Sequence, residues 1–311
     1  MDMKGSIAAI KDAITKSTAE RTSPEVISAA YAVVYLIGGV LLASARLLGA
    51  AGPFGMAAVA ASGAGLNGVA ALIGAAIGYI ISCGLAGSIR YLAAIVLVYT
   101  ISFAFQDTKF ASKSVFAPAT AAVSALSTGI LSSFTSVFTQ APAAAVVLIE
   151  TVFSFGGCWF FREAMSGRER TTESEELRYA GSVLITAAVL LMAVSQIEIF
   201  GAISLGRLVA VLIVMTCTLR CGIMTGCTIG TAFGIAMDLT AGGMPFYTMA
   251  YAFAGLLSGM FNRHGRLLFL LSFIIANAAA VACAWAFRQE TGALFEVFAA
   301  SVIFLLLPSG F

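Results

Sequence analysis

In a chain as apolar as this one, chemistry would begin at ionisable residues set inside hydrophobic runs. Glu150 lies near the middle of the run Ala141–Phe155, and Asp238 stands near the end of another. An ionised carboxylate at the centre of a bilayer costs about 2.5–3.5 kcal/mol even on the lenient insertion scale. Such a group must face a bundle interior and be protonated, hydrogen-bonded or paired with an arginine. A transporter uses it to carry protons or bind a cation, whereas a bundle that transports nothing uses it as a polar clasp. Both readings stand on these residues.

Other reaction centres lack parts. The sequence has 1 histidine, His264, so no histidine-based metal cluster can be assembled. It sits in the basic loop Asn262–Arg266, which reads as a cytoplasmic anchor for anionic headgroups. The 6 cysteines (Cys83, Cys158, Cys217, Cys221, Cys227 and Cys283) all fall in apolar runs and read as small packing residues. No Gly-x-Ser-x-Gly elbow or phosphate-cradling loop is present. Proteolysis by paired aspartates is unsupported, because Asp238 alone lies within a span. No catalytic, cofactor-binding or metal-ligating residue is assigned, and no nucleic-acid partner is expected.

Glycine supplies the sharpest spacing pattern. Gly222, Gly226, Gly230 and Gly234 recur every four residues and line one helix face, where another backbone can approach closely. Gly74 with Gly78, and Gly255 with Gly259, are shorter versions. The groove serves either packing within one bundle or self-association between copies.

The elements that must position these residues follow from composition. Of 311 residues, 60% are hydrophobic and 10% charged, with a mean hydropathy of +1.00. A soluble domain has about a quarter of its residues charged, so lipid is the expected solvent. The sequence predicts an all-α polytopic transmembrane bundle of about 10 (10–12) spans. The clear ones fall near 26–45, 90–106, 114–133, 142–161, 179–196, 203–219, 222–238, 244–261, 267–287 and 294–308. The stretch 53–84, divided by Gly65, Asn67 and Gly68, reads as two short spans or as one span plus a re-entrant piece. Residues 1–25 form a charged segment, in the cytoplasm or along the membrane surface, with no cleavable leader. The loop 162–178 divides 26–308 into halves, and 309–311 form a stub. With 53–84 crossing twice and the N-terminus inside, 13 of the 17 Lys and Arg lie in cytoplasmic segments, leaving Arg46, Arg90, Arg207 and Arg288 outside. That bias puts both termini in the cytoplasm. A weak repeat at an offset of 156 sets Ala70, Gly74, Gly78 and Ser82 against Gly226, Gly230, Gly234 and Asp238, and Tyr91 against Tyr247.

Three segments together resemble the N-terminal membrane region of stage II sporulation protein E. The first hairpin of that family carries an arginine, a few apolar residues, then glycine and Pro-Phe; here Arg46, Gly52, Pro53 and Phe54 stand in that order. A later family stretch is similar to Tyr251–Phe261, and the last span ends Phe304–Pro308, where the family's membrane part gives way to its cytoplasmic part. The resemblance covers roughly residues 26–308. It implies about ten spans, cytoplasmic termini, and a manganese-dependent serine phosphatase following the membrane part through a regulatory linker. It also implies partners among division-ring and sporulation proteins at the asymmetric septum. This chain stops at Phe311, so linker, phosphatase and manganese ligands are expected to be missing from it. The sequence thus favours a membrane-anchoring and localisation domain that contacts the bilayer and self-associates. A secondary transporter with two six-helix halves, using Glu150 and Asp238, is the rival.

Overall fold

Pro53 and a set of glycines punctuate an otherwise nearly continuous apolar sequence, and they decide where its helices start and stop. The computed structural model describes residues 24–134, 144–167, 171–199, 203–242, 245–286 and 293–307. Most of the N-terminal segment 1–25 therefore lies outside the described residues, as do Arg288 and the stub 309–311.

Eleven helices are seen among the described residues: α1 (Pro24–Ser44), α2 (Pro53–Ser62), α3 (Leu66–Ala104), α4 (Phe116–Phe134), α5 (Ala144–Ala164), α6 (Glu173–Val194), α7 (Leu205–Cys221), α8 (Ile223–Ala241), α9 (Phe246–Gly259), α10 (Arg266–Ala286) and α11 (Ala293–Leu306). Two short strands, β1 (Glu198–Ile199) and β2 (Ile203–Ser204), pair antiparallel between α6 and α7. The fold is all-α apart from this ribbon. Helices α3, α5, α6, α8 and α10 are each long and apolar enough to cross a membrane.

Helix α3 is folded back on itself at Gly84, whose φ of 67° is open to glycine at little cost. In a straight helix Tyr79 and Tyr91 would stand about 18 Å apart. Instead their rings stack with centroids 4.6 Å apart, and the Tyr99 hydroxyl donates to the Ala64 carbonyl at 3.1 Å. The arms 66–83 and 85–104 thus run antiparallel. The stretch 53–84 resolves as α2 plus the first arm, parted at 63–65. Helix α2 starts at Pro53, pre-set for a first turn. It has 10 residues, about 15 Å of rise, and is buried from Pro53 to Ala60.

Counting α3 as two arms, the described residues make two successive groups of six rods. In the first, α1 leads to a single antiparallel bridge, Leu47 with Ala51, then α2, the two arms of α3, α4 and α5. In the second, α6 leads to the β1–β2 ribbon, then α7, α8, α9, α10 and α11. Neighbours alternate in direction: Arg162 of α5 reaches the Ser114 carbonyl before α4, and Phe269 of α10 stacks on Phe304 of α11. Both turns of β-structure therefore sit at one end of the bundle, here the hairpin end. The connections from α3 to α4 and from α5 to α6 sit at the other. The Leu48 amide donates to the Leu239 carbonyl at 2.7 Å, joining the two groups at the hairpin end.

The glycines set how closely the rods pack. A Cβ on Gly230 would fall 2.5 Å from the Tyr251 carbonyl oxygen, and one on Gly255 2.6 Å from that of Gly226. Gly234 meets Thr248, and Gly259 meets Ile223, so α8 and α9 touch backbone to backbone. Gly226 also faces Thr218 of α7, while Gly222 (φ 85°) makes the turn from α7 to α8. Gly74 and Gly78 pack on the carbonyls of Leu36 and Val40 in α1. Helix α9, 14 residues long, turns Met249, Phe253 and Leu256 outward.

Candidate functional site: a duplicated carboxylate clasp

The bridge after α1 and the ribbon after α6 each aim one backbone amide at a buried carboxylate. Leu47 pairs with Ala51, and the next amide, Gly52, donates to Glu150 Oε1 at 3.2 Å. Ile199 pairs with Ile203, and the next amide, Ser204, donates to Glu296 Oε1 at 3.1 Å. Glu150 is on α5 and Glu296 on α11, the last rod of each group. Both are buried, at 0% and 1% exposure. Each carboxylate also holds an arginine: Arg90 Nη2 lies 2.6 Å from Glu150 Oε1, and Arg207 Nη1 lies 3.4 Å from Glu296 Oε1.

The first clasp is dense. The Tyr91 hydroxyl donates to Glu150 Oε1 at 2.6 Å, and Arg90 lies over the Tyr91 ring at 4.5 Å. The Tyr79 hydroxyl donates to the Gly52 carbonyl at 2.5 Å. Arg46 Nη1 donates to the Ala50 carbonyl at 3.2 Å, its Nη2 contacts Cys83 Sγ, and its guanidinium stands 6.0 Å from the Tyr91 ring. Pro53 presents its carbonyl to the Ser154 hydroxyl at 3.2 Å. The Phe54 ring packs between Phe153 and Phe161 at 6.2 and 6.3 Å. Arg46, Pro53 and Phe54 thus belong to one constellation with Glu150. Among the described residues, Glu150 Oε2 has no partner while three donors crowd Oε1.

The second clasp is looser. The Arg207 guanidinium lies over the Tyr247 ring at 4.7 Å, and the Tyr251 ring is 5.7 Å from that of Tyr247. Tyr247 occupies the place of Tyr91, the pair the sequence repeat aligned. Among the described residues, Glu296 Oε2, Arg207 Nε and Tyr251 Oη have no hydrogen-bond partner.

Asp238 does other work. Its carboxylate accepts the amides of Tyr247 and Thr248, each at 2.8 Å, and the Thr248 hydroxyl at 2.5 Å. A carboxylate at a helix start meets orphan amides and the positive end of the helix dipole. Asp238 therefore fastens the end of α8 to the start of α9, and no bond joins it to Glu150. Sequence reasoning singled out Glu150 and Asp238 but passed over Glu296, which sits in the first turn of its helix. Its signal was positional: Glu150 and Glu296 each occupy the last rod of a half.

No group of three or more His, Cys, Asp or Glu able to hold a metal occurs among the described residues. A charge pair buried this deeply is worth little net energy when intact, yet losing one partner costs about 3–5 kcal/mol. The clasps tie three connected parts together: the turn after the first rod, the rod bearing arginine, and the last rod. Comparison with protein-family models, curated proteins and solved structures returned no match.

Proposed function

We propose that this chain is a membrane-anchoring and localisation domain of the stage II sporulation protein E type, holding a serine phosphatase at the asymmetric septum. It has no catalysis of its own and acts through contacts with lipid, with other copies of itself, and with division-ring and sporulation proteins. The loop end, with both termini, faces the cytoplasm. One observation carries the reading: Arg46, Pro53 and Phe54, on which the resemblance rests, surround the Glu150 clasp and lock the first hairpin. The membrane setting has broader support, since five helices are apolar and long enough to cross. A fluorescent fusion of residues 1–311, imaged in sporulating cells, is expected to concentrate at the polar septum. Uniform membrane fluorescence would count heavily against it.

A specific feature favours a second reading as a secondary transporter. Two six-rod groups each bury a carboxylate with one oxygen unpartnered among the described residues, and repeats of this kind are common in transporters. On that reading Glu150 carries the coupling proton or cation, with Asp238 keeping α9 in register. Proton-coupled uptake that survives Glu150→Gln would remove the coupling role.

A further inference from the structure

The two clasps differ in charge and in how completely they are satisfied. Around Glu150 stand two arginines, Arg46 and Arg90, so the first clasp carries a positive excess and its carboxylate is held by three donors, two of them at 2.6 Å. Around Glu296 the balance reverses. Among the described residues Arg207 is its single basic neighbour, at 3.4 Å, and that guanidinium also serves the Tyr247 ring. Asp238 adds a second negative charge close by, fixed to the amide of Tyr247 itself.

Glu150 Oε2 and Arg46 Nε of the first clasp also lack partners among the described residues, but this side adds a hydroxyl, Tyr251 Oη. Glu296 Oε2 and Tyr251 Oη are unpartnered among the described residues, and each belongs to a residue 1% exposed. Asn277 Oδ1 is unpartnered too, on a residue also 1% exposed. The antiparallel register of α10 and α11, set by Phe269 on Phe304 and by Arg266 on the Leu307 carbonyl, brings Asn277 level with Glu296. In the first group the matching positions are apolar: Leu126 on α4, by the register of Arg162 with Ser114, and Ile95 four residues beyond Tyr91.

We infer that Glu296 is a reversible proton-binding site, taking up its proton at Oε2. The bond formed is O–H on Oε2, and the bond broken is an O–H of hydronium from the acidified solution, which leaves as water. The neutral acid keeps the Ser204 amide on Oε1 and turns Oε2 into a donor for an oxygen, which Tyr251 Oη can supply. An unpaired buried polar atom is expensive in low dielectric, so one proton meets several needs at once and cancels the negative excess. The groups facing Glu296 are Arg207 from α7, Tyr247 and Tyr251 from α9, and the Ser204 amide from β2. Asp238 of α8 acts through the start of α9, α10 carries Asn277 at the same level, and Glu198 of β1 is exposed. The site does not depend on whether the chain anchors a phosphatase.

Infrared difference spectroscopy of the full chain in lipid nanodiscs, stepped between mildly alkaline and mildly acidic pH, tests it. A carboxylic-acid carbonyl band is expected on acidification, lost in Glu296→Gln, retained in Glu150→Gln, and shifted in frequency by Tyr251→Phe. Tyr251→Phe keeps the ring and hence the packing. Absence of the band in the unaltered chain, its loss in Glu150→Gln instead, or an unmoved frequency in Tyr251→Phe would each overturn the assignment.

Discussion

At the scale of single residues, the charges in this protein divide by what surrounds them. Glu150 and Arg90 are closed off from solvent, with side chains 0% and 11% exposed. Glu150→Ala strands a buried guanidinium and is expected to cost about 3–5 kcal/mol, read as a fall in the thermal unfolding midpoint in detergent. Adding Arg90→Ala should recover part of that loss, so the double variant falls short of the sum of the singles. Arg178 pairs with Glu163 at 3.1 Å, but its side chain is 54% exposed. Arg178→Ala should change stability by less than about 1 kcal/mol. Glu150 was legible in the sequence because it interrupts an apolar run far from either end. Glu296 was not, since a charge in the first turn of a span resembles an ordinary interfacial residue. Arg90 and Arg207 were read only as topology markers, because nothing in their sequence neighbours reveals a carboxylate tens of residues away.

At the scale of elements, small residues carry the packing. Adding a methyl at Gly230 drives it against a backbone carbonyl of α9, which cannot rotate away as a side chain can. Gly230→Ala is expected to destabilise by about 1–3 kcal/mol. Gly181→Ala, where a Cβ meets nothing within 4 Å, should be neutral or slightly stabilising. Unfolding midpoints of the two variants, measured side by side, check the contrast. The helices themselves were readable from apolar length, and their observed ends fall within a few residues of the expected spans for most. What hydropathy could not reveal is that α2 has only ten residues and is covered on all sides. Nor could it reveal the bridge and ribbon, each a few residues long and defined by hydrogen bonds across a turn. The glycine repeat was visible, but not which neighbour each glycine meets: Gly74 meets α1, whereas Gly230 meets α9.

For the whole molecule, the two clasps share one end, and the connections from α3 to α4 and from α5 to α6 share the other. Leu48 and Ile197, exposed at 53% and 52%, mark the hairpin end. With the exposed Cys221 and Cys283 replaced, Leu48→Cys and Ile197→Cys should react with a membrane-impermeant maleimide from the same side of sealed vesicles. Lys113→Cys should react only from the opposite side. Labelling of the first two from different sides would break the alternation of the rods. The internal repeat was only partly legible because no single offset fits it. Gly52 and Ser204 lie 152 apart, Tyr91 and Tyr247 156, and the two glutamates 146, so unequal turns blur a pattern that the fold keeps. One consequence concerns the lipids themselves. Helix α9 rises only about 21 Å over its 14 residues, well short of the ~30 Å of a typical hydrocarbon core, and its outward side is greasy. Where α9 crosses a bilayer, acyl chains along that flank would shorten or splay to meet it. The protein should therefore prefer short-chain phosphatidylcholine domains over long-chain ones in phase-separated vesicles, carrying a preference for thin bilayer wherever it goes.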